Sequence, residues 1–370
     1  MPALRSAQGI EKLEEDIDHQ QSLMGARCPP YRRMLELFQQ LLAEPAGKPI
    51  AQALAASWQR RIFEGVYERP LLLCAALRYD ALVEGPSHPL FEGIAAERPN
   101  AGAITKARLA TALGADRIGF WITLRTRRVQ TNEVSRSITW LWPAMLAGCN
   151  DRRRPLAIVD VGASAGLNLI GDRMRLSWQR RGQTSLHTPV ALEVRSRIGF
   201  DPRPLDVRKK ENREWLRASI WPGESARLAR LDAALAAFEQ VVPAPDVQLA
   251  RASSVPGLLD PATRSVGPGG LVIVYQTLVQ GYLRAAEREP YTSGMMAWLA
   301  AGDAGERVWA TLELEDVSDP SFGCMIELHV STGGAVERVR LAHAGYHPEA
   351  VDPIAGAEQR LQALLSVKAR

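Results

Sequence analysis

Two periodicities divide the chain. From Ile10 to about Ala147 apolar residues recur at three- and four-residue spacing, broken at Cys28-Pro-Pro, Glu44-Pro, Gly85-Pro and Arg98-Pro-Asn, which predicts a series of helices. Tyr31 to Leu42 is one. Pro70 to Val83, apolar around most of its circumference, belongs at the centre of that layer. The last helix runs from about Glu133 to Leu146 and opens after Gln130-Thr131-Asn132, where Thr131 or Asn132 could cap the first amides.

At Leu156 the period changes. Leu-Ala-Ile-Val-Asp-Val is a short β-branched run bounded by Pro and Gly, as in a strand buried on both faces. Further strands are predicted at Val190–Val194, Val247–Ala250, Leu271–Tyr275 and Val308–Glu313. They alternate with helical patterns at Arg213–Ser219, Arg227–Val241 and Met295–Ala301. Cys324–Ser331 and Ala335–Ala344 flank Thr332-Gly333-Gly334, a hairpin signal, so the sheet is expected to finish antiparallel. The expected fold is α/β: a helical N-terminal domain, 1–150, before a Rossmann-like sheet, 151–370, parallel with a terminal antiparallel hairpin as in class I methyltransferases.

Composition narrows the setting. The 370 residues are 46% hydrophobic and 23% charged, enough for a large core. The apolar stretch Gly270–Tyr275 is far shorter than the roughly 20 residues that span a bilayer, and the N-terminus carries no apolar signal region, so a cytoplasmic protein without membrane contact is expected. The four cysteines lie far apart without CxxC spacing and read as buried apolar residues rather than a zinc, redox or disulfide framework. The net charge of +4 comes from arginines scattered among acids. Arg125-Thr-Arg127-Arg128 and Arg152-Arg153-Arg154 read as solvated helix ends, and nucleic acid is not an expected partner.

Candidate chemistry gathers where the first strand ends. In Asp160-Val-Gly162-Ala163-Ser164-Ala-Gly166-Leu-Asn168, small residues let the backbone approach a ligand, and the amides of Ala163 to Gly166 are expected at a helix N-terminus suited to a carboxylate. The methionine carboxylate of S-adenosylmethionine suits that place, with Asp160 for a ligand ammonium. The turn follows the acidic-x-Gly-x-Gly-x-Gly pattern of methyltransferases, with Ser164 in place of the middle glycine. An acid ending the next strand would hold ribose hydroxyls: Asp201 is the first choice, Asp206 and Glu193 the others.

The chain resembles a bacterial family catalogued as domain of unknown function 2332, whose members look like methyltransferases. The likeness rests on Val129-Gln-Thr-Asn-Glu-Val-Ser-Arg136, Asp160–Asn168, Pro204-Leu-Asp206-Val, Ile220-Trp-Pro222, Arg227–Leu235 and Ala342-His343-Ala. It implies a helical region before a cofactor domain and no particular reaction. Relatives usually carry an acid, near the adenine amino group, where this chain has Ser253, and a His-Ser pair where it has Val274-Tyr275-Gln276-Thr277.

Methyl transfer needs orientation, a dry site and a base for a protonated nucleophile. Tyr275 and Gln276, following a strand, and Glu133 are the catalytic candidates; Asn132, Arg136 and Tyr282 are candidates for a small-molecule substrate. His343 and His347 straddle Gly345 and do not form a helical metal pair. Two other readings stand beside this one. Gly162-Ala-Ser164-Ala-Gly166 fits a serine-hydrolase elbow, with Asp260 or Asp316 and His343 or His347 as partners. The fold could also bind a partner without catalysis, as Ser164 and Ser253 suggest.

Overall fold

A computed structural model describes residues 2–24, 26–63, 67–130, 132–150, 154–189, 191–315 and 323–366. The chain forms two compact units, Met1–Thr131 with Val207–Ala229, and Asn132–Asp206 with Arg230–Arg370.

The first unit is helical. Helix Pro29–Ala43 starts on two prolines, tolerated because first-turn amides have no intrahelical partner. Helix Glu68–Glu84 packs against Pro2–Met24, Ile118–Thr126 and Lys210–Ala218. It is buried from Leu72 through Arg78, as its continuous apolar run predicts. Segment 207–229 completes this core: Trp215 is buried and its Nε1 donates to Arg128 O (2.9 Å), while Arg78 Nη1 donates to Ile220 O (2.5 Å). No helix among the described residues is long and apolar enough to cross a membrane.

The second unit is α/β. Its strands are β1 (Leu156–Val161), β2 (Ser177–Arg180), β3 (Leu186–His187), β4 (Val194–Asp201), β5 (Asp246–Leu249), β6 (Leu271–Thr277), β7 (Arg307–Leu314), β8 (Cys324–Ser331), β9 (Val336–Ala344) and β10 (Ala350–Pro353). They form one sheet in the order β3-β2-β10-β9-β8-β7-β6-β1-β4-β5. The block β5-β4-β1-β6-β7 is parallel, and β8 and β9 add the antiparallel hairpin expected from Thr332-Gly333-Gly334. The chain between β1 and β4 supplies β2, which pairs with β10 far from both.

Side chains alternate between the two faces of each strand. Ala157, Val159 and Val161 of β1, with Val272 and Val274 of β6, pack against Val255, Leu259, Tyr291 and Met295. On β1, Ile158 and Asp160 alternate with these residues, and helix Ile138–Leu146, which buries Trp140, Leu141 and Trp142, packs against β6 and β7.

Two expectations are corrected. The strand expected at Val190–Val194 begins where that window ends, and Val190 lies outside the described residues. Arg195 and Arg197 interrupt the apolar run, but Arg197 is buried on β4, where Asp172 receives both of its terminal nitrogens (2.7 Å each) and Leu169 O accepts a further bond. The helix expected from Glu133 opens as a 3-10 turn, Val134–Ser137, and becomes α-helical at Ile138. Glu133 is its cap; the Asn132 side chain bonds elsewhere, and Thr131, like Arg152, Arg153 and Asp316, lies outside the described residues.

Candidate functional site

After β1 and the excursion to β2 and β3, the chain adds β4 and β5 on one side of β1, then returns to β6 on the other side. In open α/β sheets the ligand crevice lies beyond the carboxyl ends of the strands where the order reverses. The turn 162–166, Asp201 and segment 278–283 all follow strand ends there.

The turn is tightly built. Gly162 and Gly166 have φ of +82° and +75°, and Ser164 takes +53°, a left-handed conformation that costs a non-glycine residue about 1–2 kcal/mol. Gly162 N and Ala163 N both donate to Phe200 O, and Gly166 N donates to Ala163 O. Ser164 N donates to Asp201 Oδ2 (2.8 Å), its Oγ accepts from Asn132 Nδ2 (2.8 Å) and its carbonyl accepts from Leu205 N (3.1 Å). These bonds hold the strained serine in place. They also occupy three of the amides expected to face a ligand. The turn leads into the 3-10 segment Leu167–Arg173, broken by a non-helical Ile170, so the expected helix N-terminus is only a short 3-10 turn.

Asp201 ends β4 as expected and braces two loops, its second oxygen accepting from Arg203 N (2.7 Å); burial pushes its carboxyl above the ordinary range. Asp160 pairs in register with Tyr275 on β6, whose hydroxyl donates to Asp160 Oδ2 (3.0 Å). Burial pushes Asp160 up to about 7; the Tyr275 bond pulls it down and the charge of Asp201 pushes it up. Burial also raises the Tyr275 phenol well above its usual value, so it keeps its proton and stays the hydrogen-bond donor to Asp160. Nearby in sequence, Asn168 is 7% exposed. Its carbonyl accepts from Trp140 Nε1, but its side-chain Oδ1, among the described residues, accepts no hydrogen bond.

Tyr275 and Gln276, adjacent on β6, point to opposite faces. Gln276 Nε2 donates to Glu313 Oε1 (2.6 Å), and its Oε1 accepts from Tyr291 (2.6 Å) and Trp309 (3.3 Å). The structure therefore separates these two candidates. Glu313 was not singled out by sequence reasoning, although an acid ending a predicted strand was the available signal. Its carboxylate also accepts from Val279 N and Gln280 N, and burial raises its pKa.

Glu133 is buried, accepts from Ser135 Oγ (3.0 Å) and forms an ion pair with Arg230 (3.2 Å). Arg136 Nε donates to Tyr346 O (2.9 Å). Tyr282 is 47% exposed in a short 3-10 turn, and Ser253 is partly buried in the 3-10 segment Ala252–Leu258. The two histidines face different carboxylates: His343 Nδ1 is 3.5 Å from Glu315 and His347 Nδ1 is 3.8 Å from Glu133. Ser164 Oγ meets an amide where a hydrolase needs an imidazole, and the Asp260 side chain is exposed. Among the described residues, no three His, Cys, Asp or Glu side chains are grouped to hold a metal.

Residues 20–352 match the family model described as "Uncharacterized protein conserved in bacteria (DUF2332)". No curated protein and no solved structure matches the chain.

Proposed function

The chain belongs to that bacterial family, and from this premise we propose that it is an S-adenosylmethionine-dependent methyltransferase, cytoplasmic, acting on a small molecule. The sheet is then of the Rossmann-like methyltransferase type, preceded by a helical N-terminal domain. The observation that carries the reading is two polar groups at and beyond the end of β1, at the reversal of strand order: buried Asp160 on the strand, and Asn168 after the turn with its orphaned Oδ1. An unpaired buried acceptor costs about 1–3 kcal/mol, which a ligand donor would recover.

These acceptors suit the ammonium of the cofactor's amino-acid end. Of the other expected contacts, Gly162, Ala163, Ser164 and Gly166 use backbone amides internally, and Asp201 holds loop amides on both oxygens. When bound, the cofactor supplies an electrophilic methyl on sulfur. Asp160 and Tyr275 hold a proton between carboxyl and phenol near neutral pH. Glu133 is the candidate base, oriented by Ser135 and Arg230. The occupied turn amides favour a second reading, in which the fold binds a partner without catalysis.

Calorimetric titration with S-adenosylmethionine and S-adenosylhomocysteine, on wild type and Asn168→Leu, separates the two. We expect micromolar binding that Asn168→Leu weakens at least about tenfold, while its melting temperature is unchanged or raised because a buried orphan is removed. Folded wild-type protein that binds neither compound would sink the methyltransferase reading.

A further inference from the structure

Gly162 leaves room for protein rather than for a ligand. A Cβ on it would lie 2.6 Å from Val279 Cγ2, so the Val279 side chain sits against the turn. Val279 belongs to the segment following β6, on the strand next to β1 at the reversal of strand order.

Three features distinguish this segment from ordinary packing. Leu278 is left-handed at φ +56°, the conformation that delivers Val279 onto Gly162. The next two amides, Val279 N (3.0 Å) and Gln280 N (3.3 and 3.2 Å to the two oxygens), both donate to the Glu313 carboxylate. From the other side Arg288 donates to the carbonyls of Gln280 (3.1 Å) and Leu283 (3.3 Å). The segment is thus gripped through its backbone, while Gln280, Gly281 and Tyr282 are exposed. The Leu278 amide is anchored on Leu312 O (2.8 Å) and Leu283 packs against the core, so these two residues are the fixed ends between which 279–282, held to their neighbours by side chains, can swing.

We propose that Leu278–Leu283 is a gate over the turn, in which Val279 decides what reaches Gly162 and Glu313 is the positioning residue that holds it shut. This rests on the cofactor reading. The closed form blocks approach to the turn, so apparent affinity is reduced by the fraction of molecules open.

The test is binding of S-adenosylhomocysteine to wild type, Val279→Ala and Glu313→Gln, by calorimetry for affinity and by stopped flow for association rate. Val279→Ala should bind at least about fivefold tighter, and Glu313→Gln, whose neutral amide grips the backbone more weakly, should associate several-fold faster. A merely structural role for Glu313 would not speed association. If wild type binds and both variants match its affinity and rate, the gate is overturned and the cofactor reading stands. If no folded form binds, both fall. The Glu313→Gln arm decides the matter should Val279→Ala fail to fold.

Discussion

Asp160 ties the proton balance of the site to the stability of the fold. Its carboxyl is raised to about 7 in the native state against an ordinary value near 4, so over the interval between them the native state binds the extra proton. Stability from this group is then full below about pH 4 and is lost as pH rises through 7. Asp160→Asn keeps an acceptor for Tyr275 and removes the buried charge. We expect it to be more stable than wild type by about 1–3 kcal/mol at pH 8 and little changed at pH 4, read by urea denaturation at both. An equal difference at the two pH values would show that the Asp160 pKa does not rise on folding.

At the level of elements, β4 carries the counterpart risk. The side chains of Arg197 and Asp172 are both almost fully buried and are joined by paired bonds. Arg197→Leu leaves the buried Asp172 carboxylate with only the half-exposed Arg173 (3.2 Å) as a partner and should cost at most about 3–5 kcal/mol in chemical denaturation, whereas Arg195→Leu on the same strand, exposed and paired with Glu193, should cost less than about 1. This pair also explains why β4 was misplaced from sequence: two arginines look like a strand's end unless the partner 25 residues earlier is known. The runs of β1, β6 and β7 were legible because β1 is buried throughout, β6 in all but its last residue and β7 from Val308 to Leu312, and the hairpin was legible from its glycines. Four-residue β5 still shows an alternation, Val247 and Leu249, whereas β2, β3 and β10 hold no two apolar side chains two positions apart for a period to register. In the candidate site, the positions of Asp160, Ser164 and Asp201 at strand ends were legible because acids and small residues there follow a rule. That Tyr275 and Gln276 diverge follows from the two-residue repeat. The roles of Glu313 and Val279 depend on contacts across strands, which no local pattern displays.

For the whole molecule, the division into units is discontinuous in sequence. The 132–206 stretch belongs to the sheet unit, and 207–229 returns to the helical one before the chain resumes the sheet. A fragment beginning at 151 therefore lacks helix Ile138–Leu146, whose Trp140 and Trp142 are buried, and the Ser135 carbonyl that receives Trp178 Nε1. We expect fragment 151–370 to show no cooperative thermal transition by circular dichroism; a sharp transition would mean that the sheet tolerates the loss of that helix.

The pairing of β2 with β10 has a consequence for how the protein is made. Synthesis delivers residues 177–180 early, yet their partner in the sheet is 350–353. Closing so long a loop adds little free energy but slows the search for the native pairing. The far edge of the sheet cannot close on the ribosome until residues 350–353 have emerged, and until then β2 is paired only with the two-residue β3, leaving its other edge in need of shielding.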